Sequence, residues 1–233
     1  MSKFSNTGWS LPEMPHDHDH PHDHDHRHGG TQPHRHPARQ DQDDTITQWR
    51  AMEIAVRELL IEKSILNADE VRRQVEDMDN RTPLQGARVV AKAWTDPEFR
   101  KLLLTDGNAA CKALGMEGGP YKLVVVENTD QVHNVIVCTL CSCYPRWLLG
   151  LPPDWYKSRN YRSRAINEPR EVLKEFGTTI AGDMTVRVHD STADMRYLVL
   201  PKRPAGTEGW PEEKLAALVT RDSMVGVAFA QNP

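Results

Sequence analysis

Long apolar runs are missing from this chain of 233 residues. None approaches the roughly 18 residues that a helix needs to cross a bilayer, so no membrane segment is expected. The opening stretch, "MSKFSNTGWSLPEMPHDHDH", lacks the hydrophobic core and cleavage site of a signal peptide, which points to a cytoplasmic protein. No basic block stands out, and the net charge is −4 with histidines neutral, so nucleic acid is not the expected partner. Cysteine is scarce as well. Of the 4 present, three crowd together at Cys138, Cys141 and Cys143, while Cys111 stands alone in a predicted helix. Paired bridges fit that distribution badly, and in a reducing compartment such a cluster binds metal or does redox chemistry. Cys111 reads as an inert, small apolar residue. Hydrophobic residues make up 38% of the chain, and the deficit lies at the N-terminus, so the remainder still has enough to bury a core.

What is present divides into three parts: a tail over 1–43, a helical arm over 44–117 and a metal-binding catalytic part over 118–233. The tail is rich in Pro, Asp, His, Gln and Arg without apolar periodicity, the composition of disorder. Within it His16, His18, His20, His22, His24, His26 and His28 alternate mostly with aspartates, a loose multivalent chelator for divalent transition metals. From Thr45 the spacing of Trp49, Met52, Val56, Leu59 and Leu60 predicts an amphipathic helix whose Trp and Met belong to the core. A second helix is expected around Val71, Val75 and Met78. Thr82, Pro83 and Gln85 read as an N-cap, a first-turn proline and a capping box. Another helix follows at Asp96–Pro97, with Leu102, Leu103 and Leu104 inward and a break at Asp106–Gly107.

After Gly118–Gly119 the period changes. "YKLVVVEN", "VHNVIVC", "MTVRVHD" and "MRYLVLP" read as strands, and the closing "SMVGVAF" as a fifth. "EPREVLKEFG" and "PEEKLAALVTRD" read as helices. Helices first and strands mixed with helices afterwards favour an α+β fold, in which a helical N-terminal arm precedes a layered C-terminal part carrying the cysteine loop.

In "CTLCSC", C-x-x-C sets two sulfurs around one point and C-x-C adds a third from the same tight turn. A structural zinc site wants a fourth ligand, and outside the tail only His133 and His189 are available, neither at ligand spacing. The C-x-C unit also brings its backbone close to the metal, which permits deprotonated amide nitrogens to ligate a trivalent cobalt or iron. Spacing alone leaves three readings open: a catalytic metal, a structural zinc and a redox thiol switch.

The residues themselves narrow this. Cys138-Thr139-Leu140-Cys141-Ser142-Cys143 resembles the metal-binding motif of the nitrile hydratase α-subunit family. So do "VENTDQVHNVIVCTLCSCYP", "LGLPPDWYKSRNYRSRA", "EPREVLKEFG", "ARVVAKAWTDPEFRKLLLTDG" and "RYLVLPKRPAGTEGWPEEKLAALVTRDSMVGV", together covering roughly residues 49–228. The resemblance implies metal ligands at the sulfurs of Cys138, Cys141 and Cys143 and the backbone nitrogens of Ser142 and Cys143. It implies Cys141 as sulfinate and Cys143 as sulfenate, successive rungs of the cysteine oxidation ladder, and these two as the catalytic residues. Thr139 resembles the cobalt type, whereas the iron type usually has serine, so Co(III) is expected ahead of iron. The implied reaction is hydration of a small nitrile to the amide, the metal acting as a Lewis acid. The resemblance further implies an obligate β-subunit, in a heterodimer or heterotetramer, whose arginines bond the oxidised sulfurs, and a maturation chaperone.

Two stretches depart from the family's common pattern. The loop "GMEGGPYK" is short, and Arg146-Trp147 stands where many members have Trp-Pro. Arg146, Trp147 and Leu148 are the expected substrate-pocket residues. Arg146 and the His/Asp-rich tail also resemble the γ-subunit of thiocyanate hydrolase, for an arginine fork suits an anion. The shortened loop is compatible with a bulky heteroaromatic nitrile as substrate. From a different class, the tail is compatible with a metal-storage or metallochaperone subunit. Arg164 reads either as a donor to the site or, preferentially, as an ion-pair residue.

Overall fold

The computed structural model describes residues 47–233 apart from Glu117, and the His/Asp tract and the tail lie outside the described residues. Five helices come first: α1 (Gln48–Glu62), α2 (Ala68–Asp79), α3 (Leu84–Thr95), α4 (Pro97–Thr105) and α5 (Gly107–Ala113). Strands β1 (Lys122–Glu127) and β2 (Val132–Val137) follow, then the short helices α6 (Arg146–Leu149), α7 (Asp154–Lys157), α8 (Arg159–Asn167) and α9 (Pro169–Glu175). Strands β3 (Thr185–Asp190) and β4 (Met195–Leu200) precede α10 (Glu212–Ala217) and α11 (Arg221–Val225). The architecture is a mixture of helix and strand, as expected.

Local chemistry starts most of the helices. Asn67 and Glu70 form a reciprocal capping box at α2, and Asp96 and Asp106 accept first-turn N–H bonds at α4 and α5. The box expected at Thr82 is not formed. Pro83 occupies the cap with helical angles of its own (φ −64, ψ −7) and offers no side-chain acceptor.

Burial separates the helices sharply. In α3 Gly86, Ala87, Val89, Val90, Ala91 and Ala93 are buried, whereas α1 and α2 bury no residue. Trp49 is 77% exposed and Met52 45% exposed, against the expectation that they sit in the core. An apolar stripe needs a surface to cover it, and among the described residues nothing covers that of α1. The leucine triplet of α4 also divides: Leu103 is buried, Leu104 half-buried and Leu102 exposed. Three consecutive residues sweep about 200° of a helix, so they cannot share one face.

All four strands pair in parallel. β1 lies beside β4, with Lys122 opposite Met195, and β2 lies beside β3, with Val137 opposite Asp190. Parallel partners require a crossover, and between β2 and β3 the chain traverses α6 to α9. From His133 to Val137 every β2 residue is buried, the continuous burial typical of parallel strands. Buried polar groups in this layer are paired. Asn128 Oδ1 accepts from the Asn134 backbone N–H at 2.7 Å, and His133 Nε2 donates to the Gly226 carbonyl at 2.7 Å.

The closing stretch is a correction. "SMVGVAF" is not a strand, because Thr220 and Ser223 form a capping box that starts α11, and Gly226 ends that helix in the left-handed region. Gly226 has φ +91, and a Cβ there would lie 2.0 Å from the Asn134 carbonyl oxygen. Gly177 also has positive φ (+79), yet open space surrounds it. Gly226→Ala should therefore cost roughly 2–5 kcal/mol, left-handed strain plus overpacking against β2, and Gly177→Ala only about 1–2 kcal/mol. Denaturant titration of both variants measures the difference.

Candidate metal centre

Strand β2 delivers Cys138 to its carboxyl end fully buried, and the chain then turns so that Cys141 is exposed and Cys143 half-buried. The Cys138 and Cys141 sulfurs stand 3.6 Å apart, and those of Cys141 and Cys143 3.3 Å apart. All three lie within 4.8 Å of one another, and no other convergent group of His, Cys, Asp or Glu occurs among the described residues.

No backbone-to-backbone hydrogen bond among the described residues involves 138–143. Side chains from three other elements hold the loop instead. Asp190, the last residue of β3, accepts from the Thr139 N–H at 2.9 Å and from its hydroxyl at 2.6 Å. Arg162 on α8 donates to the Thr139 carbonyl at 3.3 Å. The buried Tyr156 of α7 donates its hydroxyl to the Cys143 carbonyl at 2.8 Å. Burial pushes the Tyr156 phenol well above its ordinary range, which keeps it a donor.

The thiols differ electrostatically. The hydrogen bond from Cys143 is the main influence holding the Cys141 thiol below its usual range. Burial, reinforced by that same bond, pushes Cys143 up to about 12, with Arg196 pulling the other way. A bound cation takes up thiolates, so it would displace these protons.

Three soft, converging sulfurs fit a thiophilic transition metal. Neither His133 nor His189 completes a tetrahedral set: the first is engaged by Gly226 and Asn128, the second by Asn134 at 2.8 Å. Burial lowers the pKa of both, so both are neutral structural imidazoles. Among the described residues, then, the trio has no fourth side-chain ligand of the kind a structural zinc site uses.

Cys141, Ser142 and Cys143 form one wall of an open cavity of about 980 Å³. Arg146 and Trp147 line it too, whereas Leu148 is fully buried in the core and does not. Gly115, Met116 and residues 118–121 line it as well, as do Asp77 of α2, Arg81 from the turn after it and Arg88 of α3. Arg196, on β4, completes the wall, its guanidinium 4.5 Å over the Tyr121 ring. Its Nε is buried without a hydrogen-bond partner among the described residues.

Arg196, Tyr121, Asp190 and Tyr156 escape a reading of the sequence. Tyr121, Asp190 and Arg196 lie in stretches whose pattern declares only strand, Tyr156 lies in one read only for its resemblance, and none carries a local motif. Arg164 is not at the cavity: it pairs with Glu168 at 2.5 Å and Glu175 at 2.5 Å, the ion-pair role expected for it.

Comparison with known proteins agrees with this geometry. The family model for nitrile hydratase, alpha chain, matches residues 47–228. The cobalt-containing nitrile hydratase subunit alpha of Pseudonocardia thermophila is 51% identical over 196 residues, covering 83% of this chain and 96% of that one. The thiocyanate hydrolase subunit gamma of Thiobacillus thioparus is 44% identical over 197 residues, covering 79% and 81%. Among solved structures, a double mutant of the Fe-type nitrile hydratase from Comamonas testosteroni Ni1 matches with TM-score 0.74 and 42% identity. That match covers 82% of this chain and 94% of that one. The chain belongs to the nitrile hydratase alpha-chain family.

Proposed function

We propose that this chain is the α-subunit of a cobalt-type nitrile hydratase, a hydro-lyase that adds water to a nitrile to give the amide. The observation that carries the reading is the convergence of three sulfurs at the edge of an open cavity, without a fourth side-chain ligand among the described residues. Cys138, Cys141, Cys143 and the backbone nitrogens of Ser142 and Cys143 would hold Co(III). When bound, it would supply Lewis acidity toward the C≡N group. Thr139 and the cobalt-containing relatives support cobalt over iron.

The chain's own residues then divide the work. Cys138, fully buried, would anchor the ion, while Cys141 and Cys143 line the cavity and would carry the sulfinate and sulfenate oxygens. A sulfenate oxygen on Cys143 would meet the nitrile carbon or orient the attacking water. Arg196 supports that assignment. Its buried Nε lacks an acceptor among the described residues, and its charge reaches Cys143, so an oxygen on that sulfur would satisfy it. Arg146 and Trp147 border the substrate; Leu148 acts only by packing beneath them.

The exposed apolar residues of α1 support a β-subunit that covers this arm, in a heterodimer or heterotetramer. A chaperone would assist maturation, and the histidines of the tail would gather cobalt. No described helix is long and apolar enough to cross a membrane, which is compatible with the cytoplasm. The parts 1–43, 44–117 and 118–233 serve in this reading as metal-gathering tail, partner-binding arm and catalytic part. A second reading, a thiocyanate hydrolase γ-subunit, is favoured by one observation: Arg146 lines the cavity with no ion-pair partner among the described residues.

Metal analysis and peptide mass spectrometry on the assembled protein test the centre. The expected result is about one cobalt per chain, with about +32 Da on Cys141 and about +16 Da on Cys143. Zinc with unmodified thiols in matured protein would overturn it. Assays with a neutral nitrile and with thiocyanate separate the two readings, and turnover of the nitrile alone is expected. Arg196→Met should lower kcat roughly 10–100-fold, as loss of a ligand's supporting donor does. The same variant should deplete the +16 Da species at Cys143. Removing residues 16–28 should lower cobalt occupancy when cobalt is limiting, and unchanged occupancy would leave the tail without that role.

A further inference from the structure

Besides its internal bond from the Cys141 N–H to the Cys138 sulfur at 3.3 Å, the loop from Cys138 to Cys143 is held by side chains of other elements, and one of them does more than the rest. Both carboxylate oxygens of Asp190 are taken by Thr139, one by its N–H at 2.9 Å and one by its hydroxyl at 2.6 Å. Two bonds from a single residue fix its backbone and side-chain torsions together, and a β-branched side chain has few other rotamers to adopt. Thr139 directly follows Cys138, so its torsions decide where the chain goes next and whether Cys141 returns to within 3.6 Å of Cys138.

Asp190 is not needed to close the strand pair. The last β2 carbonyl, that of Val137, is already satisfied by the Ser191 N–H at 2.7 Å. Its carboxylate is also exposed and belongs to no ion pair among those found in the described residues. Register places it there: Asp190 stands opposite Val137, the residue before Cys138, and parallel pairing puts both strand ends on one edge.

We propose that Asp190 is a positioning residue for the metal loop, clasping Thr139 so that the three sulfurs converge independently of the metal–sulfur bonds. The inference rests on the metal-centre reading above. It assigns Asp190 no contact with substrate. Its effect passes through Thr139 to the spacing of the sulfurs, and so to how tightly the ion is held.

The test uses the whole protein, produced together with its partner in the presence of cobalt. It measures cobalt occupancy at limiting cobalt and the rate of cobalt loss to excess chelator. Asp190→Ala and Thr139→Val should each speed metal loss roughly 10–100-fold, the range typical when a supporting bond is removed. The double variant should be no worse than the worse single one, because both remove the same clasp. Asp190→Asn, which keeps an acceptor for the Thr139 N–H, and Thr139→Ser, which keeps the hydroxyl, should recover most of the loss. The unfolding midpoint should barely move in any of them, since the clasp is exposed. Wild-type rates of loss in both Asp190→Ala and Thr139→Val would overturn the proposal alone, as would effects that multiply in the double variant. Should Asp190→Ala fail to assemble, Thr139→Val and Asp190→Asn still decide the matter. A wild-type protein with no ion at its cysteines would overturn the metal-centre reading itself, and that is seen before any variant is made.

Discussion

The parallel pairing of β2 with β3 is the constraint on which the site depends. Parallel strands end on the same edge, and side chains or ligands at that edge are reached from both. Here β2 ends just before Cys138 and β3 ends in Asp190, so the cysteine loop begins beside the carboxylate that clasps it. The same pairing demands a crossover long enough to travel back along the sheet. The short helices of that crossover return Tyr156 to Cys143 and Arg162 to Thr139. A hairpin between β2 and its neighbour would have supplied neither.

Burial then grades the three thiols. Cys138 follows directly on Val135, Ile136 and Val137 in the buried layer, and each of those three contributes about 1.5–3 kcal/mol by leaving water. That sulfur cannot move without disturbing the core. Cys141 and Cys143 stand at the open face, lining the cavity, where in the proposed reading substrate and oxidant would arrive. One sulfur is thus held by the fold while the other two remain available for chemistry.

The cavity carries a second theme, positive charge beside sulfur. Arg196, Arg146, Arg81 and Arg88 share the lining with the thiols, and Asp77, which pairs with Arg81 at 2.7 Å, is the acidic side chain among the described lining residues. Thiolates, sulfinates and sulfenates are anionic, and cations around them offset their mutual repulsion in a partly desolvated space. The exposed stripe of α1 and the openness of this cavity have a common sense in the proposed reading, since a second subunit would cover both.

Much of this was legible in the residues alone. The hexapeptide C-T-L-C-S-C declares a three-sulfur site through spacing, because atoms two and three residues apart in one turn must lie close. The four strands and the helix that starts at Asp96 are likewise local events, decided by β-branching and by a side chain that reaches its own helix end. What stayed illegible depended on distant partners. Trp49 and Met52 carry a core-like pattern, yet burial requires a surface that the described residues do not offer. "SMVGVAF" has strand composition, yet Thr220 and Ser223 cap a helix, and glycine is required at 226 because the Asn134 carbonyl leaves no room for a Cβ. Arg196 and Asp190 sit 53 and 47 positions beyond Cys143 and read as strand residues. The sequence by itself determined that three sulfurs converge, since that follows from short-range spacing. Only the tertiary structure decided which residues hold and surround it, because strand register and crossover paths bring remote side chains together without any local signature.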